Sequence, residues 1–207
     1  MKEHFEELIK TTVKPLLEEY GYSKKSLNFY KRRDDLIFVF NFQNSRGNSY
    51  LETSFFVNCG IHSTLIDKVI GKTELLEPKE FECYFRQRIS SLTNPTSDGY
   101  IITKDTDLPL LTLSISNDLK TVLYLFEKII STSDLVNLMI ERNGLNNYKE
   151  LFEYLLLTND ERLKVFVKEF HRIFGTDNRW SRFESNLTGL LREHKQHESV
   201  SAILNEP

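Results

Sequence analysis

Hydrophobic residues at the start of the chain have the spacing of a helix. Apolar side chains recur every three or four residues over positions 3–20, which places them on one side of an amphipathic helix. Pro15 lies inside this helix. Because proline has no amide hydrogen and crowds the turn before it, we expect a kink or a break there. Gly21 suits the end of the helix.

The spacing changes to a period of two at Leu27, and this alternation predicts β-strands. Three predicted strands are joined by short polar turns, which is typical of an antiparallel meander. The strands cover residues 27–32, 36–43 and 50–61, and the turns lie at residues 34–35 and 44–48.

Two further strands are expected beyond the meander. Residues 81–89 alternate and predict a fourth strand, with a helix as the competing interpretation because Gln87 interrupts the apolar face. Residues 100–103 suit a short fifth strand. Residues 94–99, between the two, contain proline, glycine and small polar residues and predict a loop.

Helical spacing returns after Asn117. The predicted helices cover residues 119–130, 135–139, 148–156, 163–174 and 180–191. The whole pattern predicts an α+β fold, in which an N-terminal helix packs on an antiparallel sheet of about four or five strands and a helical C-terminal third follows. We expect the N-terminal helix and the helix at 119–130 to cover one face of the sheet. The predicted parts are an α+β domain at residues 1–115 and a helical region at residues 116–207.

Composition and charge fit a globular protein. The 207 residues are 40% hydrophobic and 28% charged, with a formal net charge of −3, which gives no general attraction to nucleic acid. The longest apolar run, at residues 36–40, is far shorter than the roughly 20 residues that span a bilayer. The first residues include acids and no apolar signal-peptide core. We therefore expect a cytoplasmic protein without membrane association.

The residues that could bind metal or phosphate form no complete motif. Cys59, His62 and Cys83 have side chains that bind zinc, but a fourth ligand is missing and Cys59 is predicted on a buried strand face. The eight glycines form no phosphate-binding loop. We expect no metal, no cofactor and reduced, buried cysteines. No catalytic residues are identified, so the sequence favours a non-enzymatic protein.

Polar side chains interrupt the predicted strands. A buried amide or guanidinium group is costly unless it is hydrogen-bonded, so these side chains either line a recognition surface or form a structural hydrogen-bond network. They are Asn41, Gln43, Asn58, Arg86 and Arg88.

A basic segment with interleaved aromatic residues lies in the first predicted strand and just before it. Cations bind phosphates and aromatic rings stack on bases, so the segment could bind nucleic acid. Lysine and arginine also protect edge strands from aggregation, and the acidic balance of the chain favours that interpretation. The residues are Lys24, Lys25, Lys31, Arg32 and Arg33, with Phe29 and Tyr30 among them.

Several short segments together resemble a bacterial family of domains of unknown function. The resemblance covers about residues 5–140, and here Tyr22 replaces the usual phenylalanine of the first motif. The segments, in order, are Gly21–Lys25, Phe29–Arg32, Asn41–Ser45, Phe56–Ile61 and Cys83–Ile89. The family has no assigned activity, and its members are similar in size to candidate immunity proteins of bacterial toxin systems. The resemblance implies that the polar strand residues form a shared recognition face or a shared structural network.

Three functional hypotheses follow. The first is a non-enzymatic binding module whose partner is another protein, such as a toxin domain. The second is a small hydrolase or ligand-binding enzyme with a polar pocket on the sheet, formed by Asn58, His62, Arg86 and Arg88. The third is a nucleic-acid binder that uses the basic segment. The sequence leaves the oligomeric state open.

Overall fold

The computed structural model describes residues 1–93, 98–142, 145–196 and 199–205. It confirms the predicted α+β class. The chain forms two units, and each contains two stretches of sequence. The first unit is Met1–Thr64 with Leu75–Asp134, and the second is Leu65–Glu74 with Leu135–Pro207.

The N-terminal helix is interrupted just before Pro15, as its sequence predicts. Helix α1 (Lys2–Leu8) continues as a wider π-helical turn (Ile9–Val13) and then as helix α2 (Lys14–Glu19). In the wider turn the amide of Lys14 donates to the carbonyl of Ile9, five residues earlier. Pro15 therefore lies in the first turn of α2, where its missing amide hydrogen costs little. Gly21, with φ of +83°, ends the helix.

One antiparallel sheet forms the centre of the first unit. Its strands are β1 (Ser23–Lys25), β2 (Asn28–Arg33), β3 (Leu36–Asn44), β4 (Glu52–Ser63), β5 (Phe85–Arg88) and β6 (Tyr100–Thr103). They follow the order β1-β2-β3-β4-β5, and β6 also pairs with β4. Strand β5 pairs with residues 58–61 of β4 and β6 pairs with residues 52–55, so the two short strands share one edge of β4.

Aromatic side chains fill the space between one face of the sheet and the helices. We call this side the inner face. The ring of Phe126, in helix α5 (Leu108–Glu127), lies 5.4 Å from that of Phe38 and 5.5 Å from that of Phe40. Phe5 of α1 lies 4.8 Å from Phe55. Both helices that were expected to cover the sheet therefore do so.

Helix α5 begins earlier than its sequence predicts. Asp107 caps its first turn by accepting a hydrogen bond from the amide of Leu110, and Pro109 follows in that turn. The predicted division after residue 115 falls inside this helix, which belongs entirely to the first unit. Because α5 packs on the inner face, it is part of the same unit as the sheet.

The prediction of a strand over residues 81–89 is correct only for residues 85–88. Residues Glu80–Glu82 form a 3₁₀ turn, β5 has four residues, and helix α4 (Ile89–Thr93) follows directly. The amide of Lys79 donates to the carboxylate of Glu82 at 2.7 Å, and this local bond favours a turn over a strand. Phe81, predicted on the apolar face, is 58% exposed. In the predicted loop, residues 94–97 lie outside the described residues, and Asp98 and Gly99 have no regular structure.

The second unit is helical, as expected for the C-terminal third. Helices α3 (Thr64–Val69) and α6 (Thr132–Arg142) each begin at the end of a first-unit segment and continue into this unit. Its other helices are α7 (Tyr148–Leu157), α8 (Arg162–Phe174), α9 (Trp180–Glu193) and α10 (Val200–Asn205). Phe170 is the centre of its core, with ring contacts to Tyr148 at 5.1 Å and Phe183 at 5.4 Å. Within the described ranges, no helix is long and apolar enough to cross a membrane.

Candidate functional site

Side-chain amides line up across three neighbouring strands on the outer face of the sheet, the face opposite Phe38 and Phe40. Asn28 on β2 pairs in register with Asn41 on β3, and Asn41 pairs with Asn58 on β4. Strand residues that pair directly have side chains on the same face. We call Asn28, Asn41, Asn58 and the neighbouring Gln43 the amide row.

The amide row is a connected hydrogen-bond network. The amide nitrogen of Asn58 donates to the side-chain oxygens of Asn41 at 3.1 Å and Gln43 at 3.0 Å. The amide nitrogen of Asn41 donates in turn to the oxygen of Asn28 at 2.7 Å. Asn58 is only 6% exposed, so its two hydrogen bonds offset the cost of burying its amide. Gln43, at the end of its strand, is exposed.

The direction of these hydrogen bonds leaves unused N–H donors on Asn28 and Gln43. Both amide hydrogens of Asn58 are used, whereas Asn28 and Gln43 act only as acceptors through their side chains in the part of the chain that the structure describes. Each of these two side chains keeps an NH₂ group with two hydrogens for a ligand. The row is therefore both a structural network and a source of hydrogen-bond donors.

An arginine stacked on an aromatic ring borders the row. Arg88 on β5 pairs in register with Asn58, and its guanidinium carbon lies 4.1 Å from the ring centre of Phe56. It also forms an ion pair with Asp98. The ring contact places the guanidinium group beside the row, where the donors that Asp98 does not use can face a ligand.

Arg86 lies on the outer face, one pair further along β5, opposite Gly60. Its guanidinium nitrogen is 4.0 Å from the carboxylate of Glu80. Burial raises the pKa of Glu80, while Arg86 and Arg88 act in the opposite direction. The structure thus brings Asn41, Gln43, Asn58 and Arg88 into one neighbourhood and places Arg86 beside it.

The two cysteines lie on opposite faces of the sheet. Cys83 packs against Ile37 and Val39 on the outer face, next to Gly60, whereas Cys59 alternates with Gly60 along β4 and so points to the inner face. Burial raises the pKa of both thiols. Cys59 therefore does not face His62 and Cys83, and among the described residues no group of three histidine, cysteine or acidic side chains could hold a metal ion.

His62 lies on the outer face but is closed off from solvent. It is 1% exposed, its ring stacks on that of Tyr84 at 5.1 Å, and its Nδ1 atom is 3.2 Å from the carbonyl oxygen of Glu82. His62 lies four residues along β4 from Asn58, so about 13 Å of strand separates them. The predicted polar pocket therefore does not form with His62 as an accessible member.

The basic segment is divided between the two faces, because β2 alternates. Lys25 and Arg32 lie on the side of the amide row, whereas Lys24, Lys31 and Arg33 lie on the other side. Lys25 forms an ion pair with Glu77, and Lys31 and Arg33 both form one with Glu127 at the end of α5. Three of the five cations are therefore already paired with carboxylates.

We expect Glu127→Gln to lower the free energy of unfolding near pH 7, because it removes the ion pairs with Lys31 and Arg33. The loss should be only about 0.5–1 kcal/mol, since Glu127 is partly exposed and solvent screens these ion pairs. The hydrogen bond from Lys31, followed by that from Arg33, holds the pKa of Glu127 below its usual value. The stabilisation is therefore present above the unfolded-state pKa and is lost as the pH falls through the lower folded-state value. Urea unfolding between pH 3 and pH 7 measures it, with Glu7→Gln as a control. A difference between the parent chain and E127Q that stays constant over this range would contradict the prediction.

We expect Asn58→Ala to destabilise the first unit by about 1–2 kcal/mol, because it removes a nearly buried amide and leaves the side-chain oxygens of Asn41 and Gln43 without their donor. Asn44→Ala is the matched control, since the exposed Asn44 side chain makes no hydrogen bond among the described residues. Its effect should stay within about 0.5 kcal/mol. Urea unfolding followed by circular dichroism compares the two variants, and equal effects would show that the network does not stabilise the fold.

Asn28 and Phe56 are the members of the site that the sequence analysis missed. A signal for Asn28 exists, because a two-residue turn at Asp34 and Asp35 fixes the register and places Asn28 opposite Asn41. No comparable local signal exists for Phe56, whose contact with Arg88 depends on the pairing of β4 with β5.

One family model matches the chain over residues 13–128 and is described as a domain of unknown function, DUF4304. The matched region includes all six strands of the sheet and helix α5. No curated protein and no solved structure matches the chain. Because the match covers more than half of the residues, including the whole amide row, the chain belongs to the DUF4304 family of domains of unknown function.

Proposed function

We propose that the chain is a non-enzymatic binding protein of the bacterial cytoplasm and that the outer face around the amide row contacts a protein partner. The closest functional analogy is an immunity protein that holds a toxin domain. The observation that carries this proposal is the combination of unused amide donors on Asn28 and Gln43 with the stacked pair Arg88 and Phe56 beside them.

The chemistry of this surface suits a protein partner. The side chains of the amide row are held in place by mutual hydrogen bonds across β2, β3 and β4, so they lose little conformational freedom on binding. Arginine and aromatic residues supply much of the binding energy in protein interfaces, and amide donors match main-chain carbonyls and carboxylates. A standard interface buries about 1,600 Å², so the row and its rim would form the centre of a larger contact.

The two alternative functions have less support. An enzyme pocket that includes His62 is disfavoured by the burial of this ring, which stacks on Tyr84. Nucleic-acid binding is disfavoured by the carboxylate partners of Lys25, Lys31 and Arg33 and by their distribution over two faces.

Site-specific photocrosslinking in cells of the source organism tests the proposal. A benzophenone amino acid at Lys25 should crosslink to one defined protein, because this exposed position pairs in register with Asn28 and borders the row. The same amino acid at Lys120, an exposed position on α5, should not crosslink to that protein. Identical products at the two positions, or none at Lys25, would count against a recognition surface here.

The captured protein then allows the immunity function to be examined. Arg88→Ala should weaken its binding by about 30-fold or more if Arg88 is an anchor of the interface, while Lys120→Ala should not change it. Expression of the captured protein alone should arrest growth, and the parent chain should restore growth better than the R88A variant. If the captured protein does not arrest growth, the proposed immunity function is wrong and only the proposed protein binding remains.

A further inference from the structure

A second candidate site lies in the first unit, away from the amide row. A cleft of about 340 Å³ opens between the N-terminal helix and the turn from β1 to β2. Phe5, Ile9 and Leu27 form its apolar floor. This volume lies at the lower end of the range of small-molecule sites, about 300–1,000 Å³.

Lysines surround the apolar floor. Lys10, Lys14 and Lys24 line the cleft together with a single acid, Glu6, which lies 3.6 Å from Lys2. Lys14 is 3.6 Å from Glu18. By contrast, Lys10 and Lys24 form no ion pair or hydrogen bond within the described residues, so two ammonium groups at the rim lack a carboxylate partner.

The π-helical turn contributes to both parts of the cleft. Ile9 on the floor and Lys10 on the rim are the first two residues of this wider turn. Such turns occur often at functional sites, because they change the direction of side chains without ending the helix. Here the turn lies just before Pro15, which is in the first turn of α2.

From these features we infer that the cleft binds a small anionic amphiphile, namely an alkyl carboxylate of medium chain length. The carboxylate would accept hydrogen bonds from Lys10 and Lys24, and the alkyl chain would cover Phe5, Ile9 and Leu27. The apolar floor disfavours inorganic phosphate or a sugar, and the positive rim disfavours a cation. The inference is independent of the proposed function, since it uses no residue of the amide row.

Titration of the full chain with decanoate, below its micelle concentration, tests the inference by calorimetry. We expect saturable binding of one decanoate per chain. Affinity should rise about two- to fourfold for each added methylene from hexanoate to decanoate, as buried alkyl groups require. Decanol should bind more weakly, and decyltrimethylammonium should not bind. Decanol affinity equal to that of decanoate would overturn the role of the lysines.

Variants locate the binding in the cleft. The double replacement Lys10→Ala and Lys24→Ala should weaken decanoate binding about five- to tenfold, because two partly exposed ion pairs are lost. Lys120→Ala, a matched exposed lysine, should leave it unchanged. Circular dichroism establishes that each variant is folded. An unchanged affinity in the double variant, or no saturable binding of decanoate to the parent chain, would overturn the inference. Binding of an acidic amphipathic peptide without binding of decanoate would also overturn it.

Discussion

Replacing Phe126 with alanine is expected to lower the free energy of unfolding of the first unit by about 3–5 kcal/mol. The Phe126 side chain is 1% exposed and contacts the rings of both Phe38 and Phe40. Its removal would leave a cavity between α5 and the inner face. The loss would therefore include both buried apolar area and packing.

Tyr124→Ala is the matched control, because Tyr124 lies on the same helix but is 68% exposed. Its effect should stay below about 1 kcal/mol. Unfolding in urea, followed by circular dichroism, compares the two variants. Tryptophan fluorescence gives a separate signal, since the single tryptophan, Trp180, lies in the second unit. Similar losses for Tyr124→Ala and Phe126→Ala would mean that α5 does not hold the sheet through this contact.

Gly60→Ala is expected to cost about 1–3 kcal/mol through overpacking. A Cβ atom on Gly60 would lie 2.7 Å from the Sγ atom of Cys83 and 2.9 Å from its Cβ atom. Both distances are too short for atoms that are not bonded, and Cys83 is fully buried, so it has little space to move away. The absence of a side chain at Gly60 therefore lets the turn before β5 lie directly on the outer face.

A double-mutant cycle with Cys83→Gly tests this explanation. Cys83→Gly removes the atoms that a side chain at residue 60 would meet, so the cost of Gly60→Ala should fall by about 1 kcal/mol or more in that background. Gly189→Ala is the control, because a Cβ atom there meets nothing within 4 Å. In the interior of α9 it should be neutral or stabilising by up to about 1 kcal/mol. Strict additivity in the cycle would contradict the steric explanation.

The elements that the sequence predicts well are those with strong local patterns. Strands β2, β3 and β4 are predicted because their residues alternate and the turn at Asp34–Asp35 marks the first connection. Strand β1 is not predicted, because its three residues are all exposed and show no alternation. The first half of α5 is missed because Leu113 and Ile115 alternate with polar residues as in a strand, while Asp107 and Pro109 set the true start.

The candidate site is only partly predictable for a related reason. The sequence marks Asn41, Gln43 and Asn58 as polar residues inside predicted strands. Whether their side chains form one hydrogen-bond network depends on the register of β3 and β4. The connection between these strands, residues 45–51, is too long for its length to fix that register. The position of Arg88 over Phe56 depends on a pairing between residues about 30 positions apart.

Strands β5 and β6 share one edge of β4, and we expect the sheet to open first at this edge while its other strands stay folded. Strands β5 and β6 each add four residues, and each reaches β4 through a long connection rather than a tight turn. We therefore expect each to open more readily than β2, β3 and β4, which pair over longer stretches. Amide hydrogens in the two short strands should exchange with solvent faster than those between β3 and β4. Arg88 on β5 would then lie in the part of the sheet that opens, and Asn41 on β3 would lie in the part that stays paired.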